Sequence, residues 1–296
     1  MSSHNALVLS GGGTKGSWEA GVLLYLADQG HPGFQYISGS SVGAIITGGL
    51  SMFPPERFAE GARFVEMIWR KRILKSSSVW RLRWPLGIPG LWRPSFGRND
   101  PLDQLLKDTV DIERIRSSGI QLRISAVDLL TGTLKVYDET TDDIVRAILA
   151  SAAFPIAFPP VVIGDRLEVD GAVRDFAPVK AAIKAGADDI IILLTENGNQ
   201  LSTVTHRQMR NSFQITQRVL RIIFNEIIQN DIHHCEKIND FLARGLLEEA
   251  TSGYRQIKLT IIQPSVPLGG PLVFKRGLID RQIKQGYEDA RRTLAG

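Results

Sequence analysis

Ser41 stands at the centre of Gly39-Ser40-Ser41-Val42-Gly43, a G-x-S-x-G segment whose residue types suit nucleophilic catalysis. Phe34, Tyr36 and Ile37 before it read as a short buried strand. Val42 to Met52 after it reads as an apolar helix rich in alanine and glycine. Strand, sharp turn and helix are what a nucleophile elbow needs. The turn lifts the serine Oγ clear of the sheet, and the flanking glycines let it close without a Cβ clash. The N–H groups at the start of the helix favour negative charge developing beside that oxygen. The same five residues also suit a plain Ser/Gly turn, so the motif needs partners.

A second glycine-rich stretch precedes it. Ala6 to Leu9 reads as a buried strand running into Gly11-Gly12-Gly13-Thr14-Lys15-Gly16. A helix follows, with Trp18, Val22, Leu23 and Leu26 at helical spacing. A dinucleotide fingerprint would need an acidic residue about twenty positions on, where the Ser41 motif falls instead. A phosphate loop would need lysine after its last glycine, and Ser17 stands there. Consecutive glycine N–H groups aimed at a carbonyl oxygen, an oxyanion hole, fit best beside a nucleophile one strand–helix unit later.

A serine needs a base to take its proton. The histidines are His4, His31, His206, His233 and His234. The last three lie in polar helical tracts, where a surface position is the simpler reading. Asp170 is the better candidate. It follows a strand, precedes Gly171-Ala172 and sits in an otherwise apolar stretch, where partial burial would raise its pKa toward that of a useful base. An ordinary Asp-Gly turn is the competing reading.

The 296 residues carry a net charge of +4, with 43% hydrophobic and 22% charged residues, ordinary values for a globular chain. The single cysteine, Cys235, excludes an intramolecular disulfide and a cysteine-based zinc site, and fits a reducing compartment. No stretch reaches the ~18 uninterrupted apolar residues of a spanning helix, and the N-terminus lacks a signal-peptide pattern. The expectation is a cytoplasmic protein, peripheral at most to the inner face of a membrane.

Apolar strands alternating with helices predict an α/β chain, a mostly parallel sheet covered on both faces, folded as one domain over residues 1–296. Asp142 is expected to cap a helix over Ile144 to Ala153, and Val161 to Val169 to form a hairpin delivering Asp170. Asp189 to Leu194 reads as a buried strand. Thr205 to Leu247 reads as one long helical tract or two, broken near Asn230-Asp231. From Met67 to Asn99 there is no acidic residue. Arg70, Lys71, Arg72 and Lys75 lie there with Trp69, Trp80, Trp84 and Trp92. Such a segment can present rings and cations to an anionic lipid surface, or pack its tryptophans on the core. Nothing else resembles a nucleic-acid-binding fold.

Taken together, Gly11-Gly12-Gly13-Thr14-Lys15-Gly16, Gly39-Ser40-Ser41-Val42-Gly43 and Asp170-Gly171-Ala172 resemble, in order and spacing, the three motifs of the patatin-like phospholipase family. Ser151 to Pro160 resembles the stretch that family carries before its acid. The resemblance covers about residues 6 to 195. It implies a three-layer α/β/α fold and a Ser–Asp dyad without histidine, with Ser41 as nucleophile and Asp170 as base. The Gly12 and Gly13 N–H groups would hold the oxyanion, with a further contribution from Gly11. Lys15 stands where the family often has arginine and would lie near substrate phosphate. The implied substrate is a lipid or other acyl ester, and no metal or cofactor is called for. Two readings from other classes stand beside it: a catalytically silent membrane-associated regulator on the same fold, and a nucleotide-binding protein using the glycine loop.

Overall fold

The computed structural model describes residues 5–83, 93–197, 203–206, 209–249 and 253–295. In chain order the strands are β1 (Asn5–Leu9), β2 (Tyr36–Ser40), β3 (Arg81–Leu82), β4 (Gly97–Arg98), β5 (Gln121–Asp128), β6 (Leu134–Tyr137), β7 (Val161–Ile163), β8 (Arg166–Asp170), β9 (Asp189–Leu193) and β10 (Lys258–Ile262). The α-helices are α1 (Gly16–Asp28), α2 (Val42–Leu50), α3 (Phe58–Met67), α4 (Asp100–Thr109), α5 (Ile112–Ser117), α6 (Ile144–Ser151), α7 (Val179–Lys184), α8 (Ser212–Ala243) and α9 (Arg276–Leu294).

The main sheet runs β10-β9-β1-β2-β5-β8-β7, with β6 also on β5. From β10 to β5 every pairing is parallel, while β6, β7 and β8 join antiparallel. Strand alternation sorts the side chains into two cores. Leu7, Leu9 and Ile37 face one that includes Trp18 and Ile46. Ala6, Val8, Ile190 and Ile192 face another, with Val179 on α7 and Phe224, Ile228 and Ile232 on α8. Helices therefore cover both faces, the layered arrangement that apolar strands alternating with helices predict.

The order reverses at β1: the chain steps from β1 to β2 and β5 on one side, and later to β9 and β10 on the other. Ligands of open parallel sheets bind beyond the carboxyl ends of strands at such a point. The loops after β1, β2 and β9 all emerge there.

Two local expectations are corrected. Asp143, not Asp142, caps α6, accepting a hydrogen bond from the Arg146 N–H at 3.0 Å. And α8 does not break at Asn230-Asp231. Asp231 is buried there and pairs with Lys180 at 2.6 Å, so a residue that looked like a helix interruption is a tie between α8 and α7.

Candidate active site

β2 ends at Ser40 and α2 begins at Val42, so Ser41 alone makes the turn. Its φ of 57° and ψ of −123° lie outside the regions open to most L-residues. The motif glycines are required by proximity. A Cβ on Gly39 would overlap the Gly43 carbonyl, and one on Gly43 would overlap the Leu9 carbonyl. The Ser41 N–H donates to Ser151 Oγ, at the end of α6, at 3.0 Å. Ser151→Ala would leave that buried N–H without a partner. It should cost about 1–3 kcal/mol of stability, read as a lower denaturant midpoint at unchanged slope.

The register of β5 explains how Asp170 reaches the same place. Ser40 pairs with Ser125 on one side of β5, and Asp170 pairs with Ala126 on the other. Because β8 runs antiparallel, its last residue arrives at the level where β2 ends. The Asp170 N–H donates to the Ala153 carbonyl at 3.1 Å, so the last residue of α6 and the segment just after it hold the two residues. Asp170 Oδ1 accepts the Ala172 N–H at 2.9 Å, while Oδ2 has no hydrogen bond of standard geometry among the described residues. Complete burial pushes the carboxyl up to about 7, against the opposing pull of the nearby Ser41 hydroxyl. A carboxyl with a pKa near neutrality beside a serine hydroxyl can accept that proton.

The glycine loop follows β1. The Gly11 N–H donates to the Phe176 carbonyl at 3.2 Å, and the Gly11 carbonyl accepts from the Thr195 hydroxyl. This corrects the expectation for Gly11, whose N–H is engaged by protein. The Gly12 and Gly13 N–H groups donate to no protein acceptor among the described residues. Gly13 has φ of 59°, and a Cβ there would overlap the Pro271 carbonyl. That carbonyl accepts the Thr14 N–H at 2.7 Å, which pins the loop from the C-terminal side.

Ser41, Asp170 and Gly11 to Gly13 line one shared cavity. Most of its wall is apolar, supplied by Trp69, Ile73, Leu102, Phe154, Phe176 and Phe224. One pole is polar, with Lys15, Glu196, Gln217, Arg221 and Asn225. No histidine lines it among the described residues. His206, His233 and His234 are exposed, and His31 stacks on Phe34.

A sequence model described as patatin-like phospholipase matches residues 7–183, the span that holds all three motifs and this geometry. The chain belongs to that family. A curated relative, lysophospholipase NTE1 of Debaryomyces hansenii, is 28% identical over 199 residues, which are 62% of this chain and 11% of the relative. The chain thus spans about a tenth of the length of that relative. Among solved structures, VipD of Legionella pneumophila is 15% identical, with a TM-score of 0.47, covering 99% of this chain and 67% of that one. A chain of the ExoU–SpcU complex from the type III secretion system of Pseudomonas aeruginosa is 16% identical, with a TM-score of 0.43, covering 98% and 51%.

The family span stops short of several cavity residues. Lys15, in the family's glycine motif, is buried and ion-paired with Glu196, which follows β9. Burial lowers the Lys15 pKa, the Glu196 carboxylate raises it in part, and Arg221 lowers it further. Pro271, Leu272 and Phe274 close another wall. Glu196, Arg221 and this loop escape sequence reading because no motif marks them. The usable signal for Glu196 was its place just past an apolar strand, where parallel sheets put their sites.

In the acid-free segment, Trp69 is buried and stacks on Phe274, and the half-buried Trp80 donates to the Leu272 carbonyl at 3.3 Å. Arg70 pairs with Glu66 and Asp280, and Arg72 with Asp108. Lys71, Lys75 and Arg81 are exposed beside the exposed Leu74 and Leu82. Trp84 and Trp92 lie outside the described residues. Among the described residues no helix is long and apolar enough to cross a membrane.

Proposed function

We propose that the chain is a serine acyl hydrolase acting on ester-linked acyl chains of lipids, of phospholipase A or lysophospholipase type. The observation that carries this is the joint placement of Ser41, on a strained turn, and Asp170, buried with a pKa near neutrality, in one apolar cavity. Family membership and a relative named as a lysophospholipase support it.

The residues divide the work as follows. Asp170, ionised, accepts the Ser41 proton as Ser41 Oγ bonds to the ester carbonyl carbon. The Gly12 and Gly13 N–H groups receive the developing oxyanion. The intermediate collapses, and the C–O bond to the alcohol breaks. The alcohol takes the proton from Asp170, leaving acyl-Ser41. Water then gives a proton to Asp170 and attacks the acyl carbon. Collapse returns that proton to Ser41 and releases the fatty acid. The apolar wall holds the acyl chain and limits competing water.

The test is hydrolysis of p-nitrophenyl esters over a range of acyl lengths, for wild type and Ser41→Ala. Turnover that rises with chain length and vanishes in the variant supports the reading. Equal turnover in both rejects it.

Peripheral contact with an anionic membrane through the Met67–Asn99 segment is part of the same proposal. Its working groups are Lys71, Lys75 and Arg81 with Leu74 and Leu82, rather than the buried Trp69. Each cation near an anionic surface contributes about 1 kcal/mol, so replacing all three by glutamine should weaken binding to phosphatidylserine-containing vesicles by about a hundredfold. Unchanged partitioning in a sedimentation assay would remove this segment from the contact.

A further inference from the structure

At the polar pole of the cavity, Lys15, Glu196 and Arg221 form a cluster with more cations than acids. Lys15 Nζ pairs with Glu196 Oε1, and Arg221 donates to Glu196 Oε2 at 2.8 Å. Two cations thus share one carboxylate, which they hold below the usual range against the upward push of its burial. Within this cluster the two cations outnumber the one carboxylate, at one end of a largely apolar cavity. Asp170 is the other acid on that wall, and it faces Ser41. An uncompensated charge next to apolar surface is costly, and two neighbouring cations add repulsion. Such an arrangement suits a site whose ligand brings the missing negative charge.

The donors to receive it are present. Arg221 Nε is buried and has no hydrogen-bond partner among the described residues. Arg221 is therefore only partly used by Glu196. Guanidinium is the side chain best matched to phosphate oxygens, which it can take two at a time.

We infer that Arg221, backed by Lys15, forms a subsite for the phosphate group of a lipid headgroup, and that Glu196 moderates its affinity. This rests on the reading of Ser41 as the nucleophile and narrows its substrate class. One cavity then offers an apolar wall for the chain, a hydroxyl for the ester and a cationic pole for the phosphate. A neutral monoacylglycerol satisfies the first two and leaves the third without its counter-charge. Lys15 lies in the glycine motif, but Arg221 sits on α8, outside the residues matched by the family, so the motifs give no hint of the guanidinium beside it.

The test compares kcat/KM for 1-palmitoyl-lysophosphatidylglycerol and 1-palmitoylglycerol. In Arg221→Gln the ratio of the phosphate-bearing to the neutral substrate should fall about tenfold or more, chiefly through KM. Glu196→Gln removes the competing carboxylate and should move the ratio the other way, upward by about threefold or more. Loss of structure cannot produce opposite signs. Equal losses on both substrates in Arg221→Gln, or a falling ratio in Glu196→Gln, would overturn the assignment. A binding arm separates this from failure of the nucleophile reading. Calorimetry with Ser41→Ala should show the ether-linked lysophosphatidylglycerol analogue binding about tenfold or more tightly than the ether-linked alkylglycerol, and the difference should disappear on adding Arg221→Gln. If that holds while wild type hydrolyses neither ester, the subsite stands and the Ser41 chemistry falls. Inorganic phosphate binding as tightly as the ether phospholipid would assign the site to free phosphate and reject the lipid reading.

Discussion

Ser41→Ala is expected to lower ester-hydrolysis kcat by ~10³-fold or more, the scale on which catalytic groups are lost. Ser41→Gly should lose activity equally and gain stability. The reason is local. Ser41 holds φ of 57° and ψ of −123° because β2 and α2 meet with no spare residue between them. Backbone strain of this kind costs about 1–3 kcal/mol for a residue with a Cβ and far less for glycine. Part of that gain is offset by the freedom glycine adds to the unfolded chain, so a net rise of about 1 kcal/mol is the expected result. Equilibrium unfolding of the two variants side by side checks it. Stability of the glycine variant at or below that of the alanine variant would mean that the turn is not strained.

Asp170→Asn should also combine opposite effects. Its hydrolysis should fall by ~10³-fold or more, because asparagine cannot take the Ser41 proton. Its folded state should be more stable than wild type, and the gain should depend on pH. The unfolded aspartate titrates near 3.9, whereas burial pushes the folded carboxyl up to about 7. Wild type therefore keeps the stability of a neutral Asp170 below the unfolded value and loses it as pH rises to about 7. Replacing the group recovers up to about 4 kcal/mol at pH 8 and less than half of that at pH 5. Thermal melts at the two pH values measure the difference. The same pKa predicts that wild-type kcat/KM falls as pH drops below about 7, since only the carboxylate is a base. A rise of Asp170→Asn stability that is identical at both pH values would contradict the buried-acid account.

The contrast between these residues shows what a sequence discloses. Ser41, Asp170 and the glycine loop were legible because each needs a local pattern: glycine where a Cβ would overlap backbone, and an acid at a strand end. The layered sheet was legible too, since strands buried on both faces read as continuous apolar runs. The Gly11 N–H was misjudged because its acceptor, Phe176, lies far along the chain and no motif links them. Ser151 belonged to a recognisable stretch, yet its bond to the Ser41 N–H depends on how α6 packs beside α2. Trp69 lies in a basic tract that suggests a surface, and only the fold shows it stacked on Phe274, more than two hundred residues later. The unbroken α8 is similar: Asp231 looks like a helix interruption until Lys180 is placed beside it. Glu196 and Arg221 form their cluster through contacts between distant segments, and these carry no local signature.

The proposed hydrolysis depends on activation of Ser41 by Asp170. A fluorophosphonate probe reads this directly, because it reacts only with an activated serine. Intact-mass and peptide analysis should find one adduct per chain, on Ser41, at a rate that rises with pH through about 7 and drops by orders of magnitude in Asp170→Asn. Labelling of another residue, or of Ser41 at the same rate with and without the Asp170 carboxylate, would contradict it.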